Sequence, residues 1–327
     1  MKLLMISTDR TIFDKESAVA KRQIEYAKKY EEVHIVIFSN KEYKETTLGS
    51  NIFIYPTRSV SRWFYVFDAL KLGRFIVEKR KIENVTCQDP FETGLVGAFI
   101  KNHEPVSLEL QIHTDIGSPY FQNFNFLNKV RTLISKYTLP RADHVRVVSS
   151  RIKDYVSTYV EASRIEVRPI EVDVSGIRMA PVTLDLRATY PQFSKIVLMV
   201  ARLEKEKNIE MAIGAFKKVL DTAPKTGLVI VGSGREETSL KSLVTTLGIE
   251  KSVVFLGWQK DTATLYRTAN VHLVTSWYEG YGLTLLEATT AGTKVVSTDV
   301  GIAREVGAEI VKFTIEEIAE GIIASLI

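Results

Sequence analysis

The sequence TSWYEGYGLTLLEATTAG occupies residues 275–292 of this 327-residue chain. An apolar strand precedes it, an aromatic and acidic loop holds Gly280 and Gly282, and a helical pattern then runs to an Ala291-Gly292 stop. Glycine lets the backbone approach a ligand closely. The first amide groups of a helix have no partner within the helix and lie at the positive end of its dipole, so they attract anions. The stretch therefore predicts a binding site for a pyrophosphate.

Two glutamates accompany this helix. Glu279 comes just before it and Glu287 lies about a turn and a half inside it. At this spacing one carboxylate can reach the sugar side of a bound diphosphate and the other the ribose side. A helix cap with one solvated glutamate is the alternative interpretation.

Outward from this segment, short apolar runs alternate with amphipathic stretches along the whole chain. This alternation predicts an α/β fold of two Rossmann-like, doubly wound parallel sheets with right-handed crossovers, covered on both faces. The predicted strands are KLLMIS (2–7), VHIVIF (33–38), NIFIY (51–55), NVTC (84–87), SLELQI (107–112), HVRVVSS (144–150), IEVRP (165–169), KIVLMVA (195–201), GLVIVG (227–232), SVVFLG (252–257), NVHLVTS (270–276) and KVVSTD (294–299).

The domain boundary is expected where regular patterning stops. The segment 170–193 has two prolines, scattered charge and no sustained period. We therefore predict an N-terminal, acceptor-side domain at 1–172, a linker at 173–193 and a C-terminal, donor-binding domain at 194–327. Open α/β sheets bind ligands beyond the carboxyl ends of their strands, so the active site is expected in a cleft between the two domains.

The composition is that of an ordinary globular protein, with 45% hydrophobic and 25% charged residues. No apolar run is long enough to span a membrane, and the N-terminal run before Asp9 is too short for a signal peptide. Cys87 is the only cysteine, which excludes an internal disulfide and a cysteine-based metal site. These features predict a cytoplasmic protein.

A second segment, VARLEKEKNIEMAIGAF at 200–216, places Arg202 and Lys207 between a strand end and a helix start. Arginine can bind phosphate oxygens bidentately and lysine can act as a point charge, so both can stabilise a departing diphosphate. Glu204, Lys205 and Glu206 are interpreted as a solvated charge run.

Two further positions are candidates. Gly232, in VGSGREE (231–237), predicts a tight turn that lines the donor pocket, although the full G-x-G-x-x-G spacing is missing. His113 follows the strand SLELQI and is placed for acid–base chemistry. The other four histidines are interpreted as structural. No D-x-D triplet and no His/Cys/Glu cluster occurs, so no metal site is expected.

The net charge is +4, and the excess lies in residues 1–175, with 26 Lys/Arg against 22 Asp/Glu. The stretch 58–81 combines aromatic residues with seven Lys/Arg, which is typical of contact with an anionic membrane. A mildly basic surface that serves solubility and ordinary core packing of the apolar face of this helix are the alternatives. No dense basic stripe is present, so nucleic acid is not an expected partner.

Taken together, segments 200–208, 228–234, 254–258, 270–292 and 297–306 resemble the donor domain of family-4, nucleotide-sugar-dependent retaining glycosyltransferases of the GT-B fold. The E-x7-E element from Glu279 to Glu287 matches the signature of that family. The first half resembles the family more weakly, through 142–150, 169–173 and His113.

The resemblance implies a role for each matching position. Arg202 and Lys207 would bind the diphosphate, Glu287 the ribose and Glu279 the transferred sugar. His113 would lie over the donor sugar as a second catalytic residue. The positions whose backbone would contact the phosphates or the base are Gly280, Tyr281, Gly282, Leu283, Thr284 and Trp258.

The activity that the resemblance implies is metal-independent, front-face retaining transfer from a UDP-, GDP- or ADP-linked sugar to a saccharide or lipid-linked acceptor. No cofactor is expected besides this co-substrate. Cell-envelope glycan biosynthesis, in the cytoplasm or at the inner face of the membrane, would be the setting. The alternatives are a GT-B-type epimerase or phosphorylase and a non-catalytic nucleotide-sugar-binding subunit.

The sequence departs from the family pattern at three places. The loop after the first strand has no glycine pair, Lys294 replaces a frequent proline, and the final crossover helix looks short or absent before Ile327.

Overall fold

A computed structural model describes all residues 1–327 and divides the chain into two compact units, Met1–Arg168 and Pro169–Ile327. Each unit contains one sheet with helices packed on it, which confirms the predicted α/β class.

The first unit has an eight-stranded sheet in the order β3-β4-β2-β1-β5-β6-β7-β8. All pairings are parallel except that of β3 with β4. Its central strands are almost fully buried, as near-continuous apolar runs predict. The strands are β1 (Lys2–Ser7), β2 (Glu32–Ile37), β3 (Thr46–Leu48), β4 (Ile52–Pro56), β5 (Asn84–Cys87), β6 (Ser107–Ile112), β7 (His144–Val147) and β8 (Ile165–Val167).

The helices of the first unit cover this sheet. They are α1 (Ala18–Ala27), α2 (Tyr65–Arg80), α3 (Glu92–Lys101), α4 (Pro119–Asn123), α5 (Phe126–Thr138) and α6 (Ser150–Val156). Helix α2 packs on α3, and α3 packs on α5. The connections β4–α2–β5, β5–α3–β6 and β6–α5–β7 all step in the same direction across the sheet. Right-handed crossovers therefore place α2, α3 and α5 in one layer on one face.

Helix α2 buries small and aliphatic side chains, namely Ala69, Gly73, Ile76 and Val77. The aromatic side chains in and just before it point to solvent: Trp63, Phe64, Phe67 and Phe75. Core packing of the apolar face, one of the alternatives for the stretch 58–81, is therefore confirmed for the aliphatic side chains, whereas these four aromatic residues lie outside that face.

The second unit has a six-stranded parallel sheet in the order β11-β10-β9-β12-β13-β14. Its strands are β9 (Lys195–Val200), β10 (Thr226–Val231), β11 (Val253–Gly257), β12 (Val271–Val274), β13 (Lys294–Thr298) and β14 (Glu309–Val311). Its helices are α7 (Val174–Met179), α8 (Leu186–Thr189), α9 (Ile209–Thr222), α10 (Glu237–Thr246), α11 (Ala263–Thr268), α12 (Leu283–Thr290) and α13 (Ile315–Leu326).

The segment predicted as a linker, 173–193, differs from that expectation because it is packed on the second unit. It contains α7 and α8, and Leu186 is fully buried. The Arg178 side chain donates to the carbonyl of Thr290, and Arg187 Nε donates to that of Thr268 at 3.0 Å. Two short helices with few apolar residues give no clear period, so the sequence alone does not separate them from a linker.

No helix of the chain combines the length and the apolar character that crossing a membrane requires.

Candidate functional site

The order of strands in the second unit fixes where a ligand can bind. The chain runs outward from β9 to β10 and β11, then returns beside β9 as β12 and continues the other way to β13 and β14. The carboxyl ends of β9 and β12 therefore form the topological switch point, where open α/β sheets bind ligands. The loop 201–208 follows β9 and the loop 275–282 follows β12, so the two strongest sequence segments meet there.

Direct hydrogen bonds join these two loops. The Thr275 hydroxyl donates to the carbonyls of Lys207 at 3.1 Å and Asn208 at 3.0 Å. The backbone amide of Trp277 donates to the carbonyl of Glu206 at 2.8 Å. Asn208 has φ of +52°, a left-handed conformation that asparagine tolerates better than most residues, and the loop turns there into α9.

The centre of the site is an ion pair between the two loops. Lys207 Nζ lies 2.5 Å from Glu279 Oε1, and the Ser276 hydroxyl donates to the same oxygen at 2.8 Å. The two charged side chains are only 14% and 19% exposed. The structure thus brings together two residues that the sequence analysis assigned to the donor, while their roles toward the donor stay predictions. An ammonium in a partly desolvated site attracts an anion far more strongly than one in bulk water.

Arg202 lies further out, with a side chain that is 71% exposed. Its guanidinium donates to Glu206 Oε1 at 2.9 Å, and the Glu206 side chain is only 17% exposed. The interpretation of Glu206 as part of a solvated charge run is therefore wrong. Its carboxylate holds Arg202 and its carbonyl anchors Trp277, a role that the run of alternating charges does not reveal.

The start of α12 faces the same end of the sheet. Gly282 precedes it with φ of +85°, and no side chain caps the helix. The loop before it is fixed by the amide of Ile302, which donates to the Tyr281 carbonyl at 2.9 Å. The first amide groups of α12, those of Leu283 and Thr284, thus belong to an uncapped N-terminus close to Glu279, the partner of Lys207, and together with the ammonium they can bind an anion.

Gly282 also has a steric reason to be glycine. A Cβ there would lie 2.7 Å from Leu285 Cδ1, in addition to the positive φ. Gly280, the other glycine of the loop, lies two residues before it.

Gly232 lies at the carboxyl end of β10, beside the end of β9. Its φ is +132°, and a Cβ would lie 1.9 Å from the carbonyl oxygen of Ala201. This glycine therefore allows the backbone just before Arg202 to pass close to β10, whereas direct contact with a ligand stays a prediction. Trp258 follows the edge strand β11 and is 69% exposed, so its indole is accessible to solvent.

Glu287 lies inside α12 and is held by a residue that the sequence analysis missed. The Tyr266 hydroxyl donates to Glu287 Oε2 at 2.9 Å, and Tyr266 is fully buried. Burial raises the pKa of Glu287 above its ordinary value, while the hydrogen bond from Tyr266 acts in the opposite direction. Tyr266 is one of 13 tyrosines and belongs to no motif, so nothing in its sequence context marked it.

Replacing Tyr266 with phenylalanine tests this hydrogen bond. The raised pKa means that the folded state disfavours ionised Glu287, so its ionisation costs stability as pH rises through the folded pKa. Without the hydroxyl this cost grows. We expect Tyr266→Phe to destabilise the fold by about 1.5–3 kcal/mol at neutral pH and by less in acid, where Glu287 is protonated. Thermal unfolding midpoints at the two pH values measure it, and an equal loss at both would contradict the assignment.

His113, the predicted catalytic histidine, belongs to the first unit and follows β6. Its side chain is accessible to solvent. Desolvation of the ring by the surrounding protein lowers the pKa of His113 below its ordinary value, and the positive charge of Arg146 lowers it further. The ring is therefore neutral at pH 7. His34 and His272 are fully buried inside strands, and burial lowers the pKa of His272 to about 4. Their structural interpretation fits this burial.

Comparisons with known sequences find similarity to glycosyltransferases. Residues 189–325 match the family model of glycosyl transferases group 1. An uncharacterized glycosyltransferase of Methanocaldococcus jannaschii is 31% identical over 249 residues, which are 72% of this chain and 62% of that protein. The alpha-monoglucosyldiacylglycerol synthase of Streptococcus pneumoniae is 26% identical over 237 residues, 68% of this chain and 53% of the relative. The aligned part of the chain thus spans about half to three fifths of each relative's length.

A crystal structure of Anabaena HepE in complex with UDP and glucose superposes with a TM-score of 0.72 at 18% identity, covering 99% of this chain and 89% of that one. At this identity the likeness concerns the fold alone, and that fold is GT-B. The chain therefore has the GT-B fold of two Rossmann-like domains, and its residues 189–325 match the glycosyl transferases group 1 family.

Proposed function

We propose that this protein is a glycosyltransferase that takes a sugar from a nucleoside diphosphate donor bound at the switch point of the second unit. UDP is the first donor nucleotide to test, because UDP is bound in the GT-B structure of Anabaena HepE. The family-4 subclass, retention of configuration by front-face substitution and independence of metal are parts of this proposal.

The observation that carries the proposal is the Lys207–Glu279 ion pair beside the uncapped start of α12. When the bond between the sugar and the diphosphate breaks, negative charge develops on the diphosphate. A preorganised ammonium and helix amide groups in a poorly solvated pocket stabilise that charge without reorganisation. Lys207 and α12 would therefore hold the phosphates, and Glu279 would contact the sugar next to them.

The residue types present in the chain support the proposal that transfer is independent of metal. No group of three His, Cys, Asp or Glu side chains in the chain could hold a metal ion. Cationic side chains and a helix N-terminus can replace a divalent ion in neutralising a diphosphate. Full transfer activity in EDTA is the expected result, and restoration of a lost activity by Mg²⁺ or Mn²⁺ would remove this part of the proposal.

The acceptor is proposed to be a saccharide or a lipid-linked molecule. The S. pneumoniae relative is named for a product that contains diacylglycerol. The exposed Trp63, Phe64 and Phe67 of this chain, next to Arg62, fit peripheral contact with an anionic membrane.

A thermal-shift screen with UDP, GDP, ADP and their sugar conjugates tests donor binding. A ligand that binds only the native state raises its apparent stability, by about 2.7 kcal/mol at a hundredfold excess over Kd. We expect one nucleotide and its sugar to raise the unfolding temperature and the other bases to do so less. If none of them raises it, the donor site is refuted.

The same donor separates the alternative activities. An epimerase converts the donor without any acceptor, a phosphorylase requires inorganic phosphate, and a non-catalytic subunit binds the donor without consuming it. Formation of a glycoside only when an acceptor is added is the outcome expected for a transferase.

A further inference from the structure

Helix α5, Phe126–Thr138, has its apolar face on the outside. Phe126 is 81% exposed, Leu127 50% and Leu133 65%. They recur at helical spacing, so they lie on one face, together with the half-buried Ile134. A helix of a soluble domain normally directs such a stripe to the core.

The face of α5 that contacts the protein is polar. Asn128, Thr132, Ser135 and Thr138 are all buried. Asn128 Nδ2 donates to the Phe121 carbonyl at 3.1 Å, and Thr138 Oγ1 donates to that of Pro90 at 2.6 Å. The hydroxyls of Thr132 and Ser135 donate to carbonyls within the helix. Since these buried groups are all satisfied, α5 is held in this orientation, and its apolar stripe stays exposed.

The charged residues of the segment that carries this stripe all have one sign. Residues 116–142 contain Lys129, Arg131, Lys136 and Arg141 and no aspartate or glutamate. Glu92 of α3 binds Arg131 at 3.0 Å, which leaves the exposed Lys129 and Lys136 beside the apolar residues. An anionic surface is the complement of such a face.

A second exposed group lies in the same layer of helices. Helices α2 and α5 each begin at the carboxyl end of the sheet, because each runs back from it to the start of the next parallel strand. Trp63 and Phe64 lie just before α2, and Phe126 and Leu127 begin α5. Aromatic and aliphatic side chains with neighbouring cations thus occur at the same end of the unit on two helices.

We propose that the outer face of α5, with Trp63 and Phe64 just before α2, is a docking surface for an anionic lipid bilayer. Phe126, Leu127 and Leu133 would enter the interface between headgroups and acyl chains, and Lys129 and Lys136 would contact lipid phosphates. This deepens the membrane part of the proposed function, but it does not depend on the donor site.

A second copy of the chain is the less suitable partner for this face. A two-fold contact brings the same patch of both copies together. Two faces that each carry Lys129 and Lys136 without an acidic residue would then repel each other.

Flotation with lipid vesicles tests the proposal. We expect the whole chain to float with phosphatidylcholine vesicles that contain phosphatidylglycerol, not with pure phosphatidylcholine, and less at high salt. The double variant Phe126→Gln, Leu133→Gln should lower partitioning by about tenfold or more, because it removes two apolar side chains that would be buried in the membrane interface. Lys129→Gln should lower it about fivefold.

The matched control is Met179→Gln, Val182→Gln, which also changes two exposed apolar residues, 83% and 49% exposed, in the second unit. It should float like the unchanged chain. All variants should keep the unfolding temperature and the response to nucleotide, so a failure of docking is distinguishable from a failure of the donor site.

Two results would overturn the proposal. The unchanged chain would stay unbound to anionic vesicles, or the Phe126→Gln, Leu133→Gln variant would float as well as the unchanged chain. A concentration-dependent dimer that this variant abolishes would assign the face to a second copy instead.

Discussion

Replacement of Lys207 with alanine will lower kcat for transfer by about two to three orders of magnitude, the usual cost of losing one preorganised group that stabilises developing negative charge. The ammonium lies 2.5 Å from Glu279 Oε1 and its side chain is only 14% exposed, so water screens its charge little. The measurement is release of the nucleoside diphosphate in the presence of acceptor, using the donor selected by thermal shift.

Lys205→Ala is the control for this variant. Lys205 lies two residues away, carries the same charge and is exposed. It therefore changes the net charge equally without removing a group from the pocket, and we expect its kcat to stay within about twofold, as for a surface charge. If Lys207→Ala retained a kcat similar to that of Lys205→Ala, the phosphate role of Lys207 would be refuted.

The sequence could assign Lys207 and Glu279 to one site because parallel α/β architecture brings strand ends together. The apolar runs located twelve strands, and the loops that carry Lys207 and Glu279 follow β9 and β12. The two short strands β3 and β14, each of three residues, lacked enough residues to form a pattern. Local patterning therefore sufficed where an element was long and regularly apolar.

The features that the sequence could not predict depend on partners from distant parts of the chain. Tyr266 binds Glu287 across 21 positions, and the Glu206 carbonyl accepts from the Trp277 amide in the loop after β12. Helix α5 shows the same limit, because its helical period predicts a helix but does not predict which face of the helix points inward. Only the carbonyls of Phe121 and Pro90, which receive its polar side chains, decide the orientation.

Both cations of the site are paired with carboxylates. Lys207 binds Glu279, and Arg202 binds Glu206. A diphosphate must therefore compete with Glu279 for Lys207, and Glu279 becomes free to contact the sugar only when the phosphate takes over the ammonium. In this arrangement Glu279 opposes binding of the diphosphate alone and favours the complete donor.

Glu279→Gln should therefore separate two quantities that usually change together. Removal of the negative charge frees Lys207, so we expect nucleoside diphosphate without sugar to bind as tightly as before or several-fold more tightly. Transfer should fall by about a hundredfold or more, because glutamine cannot supply the charged acceptor that the sugar and its transition state would use. Isothermal titration measures the first quantity and product release the second.

Glu204→Gln is the control. It also removes one negative charge, but from the loop after β9, where the Glu204 side chain does not contact the Lys207 ammonium. It should leave both quantities unchanged. If Glu279→Gln weakened binding of the bare diphosphate, Glu279 would serve mainly to position Lys207. If it left transfer intact, Glu279 would not contact the sugar. Tight binding together with lost transfer is the combination that only a carboxylate with both functions produces.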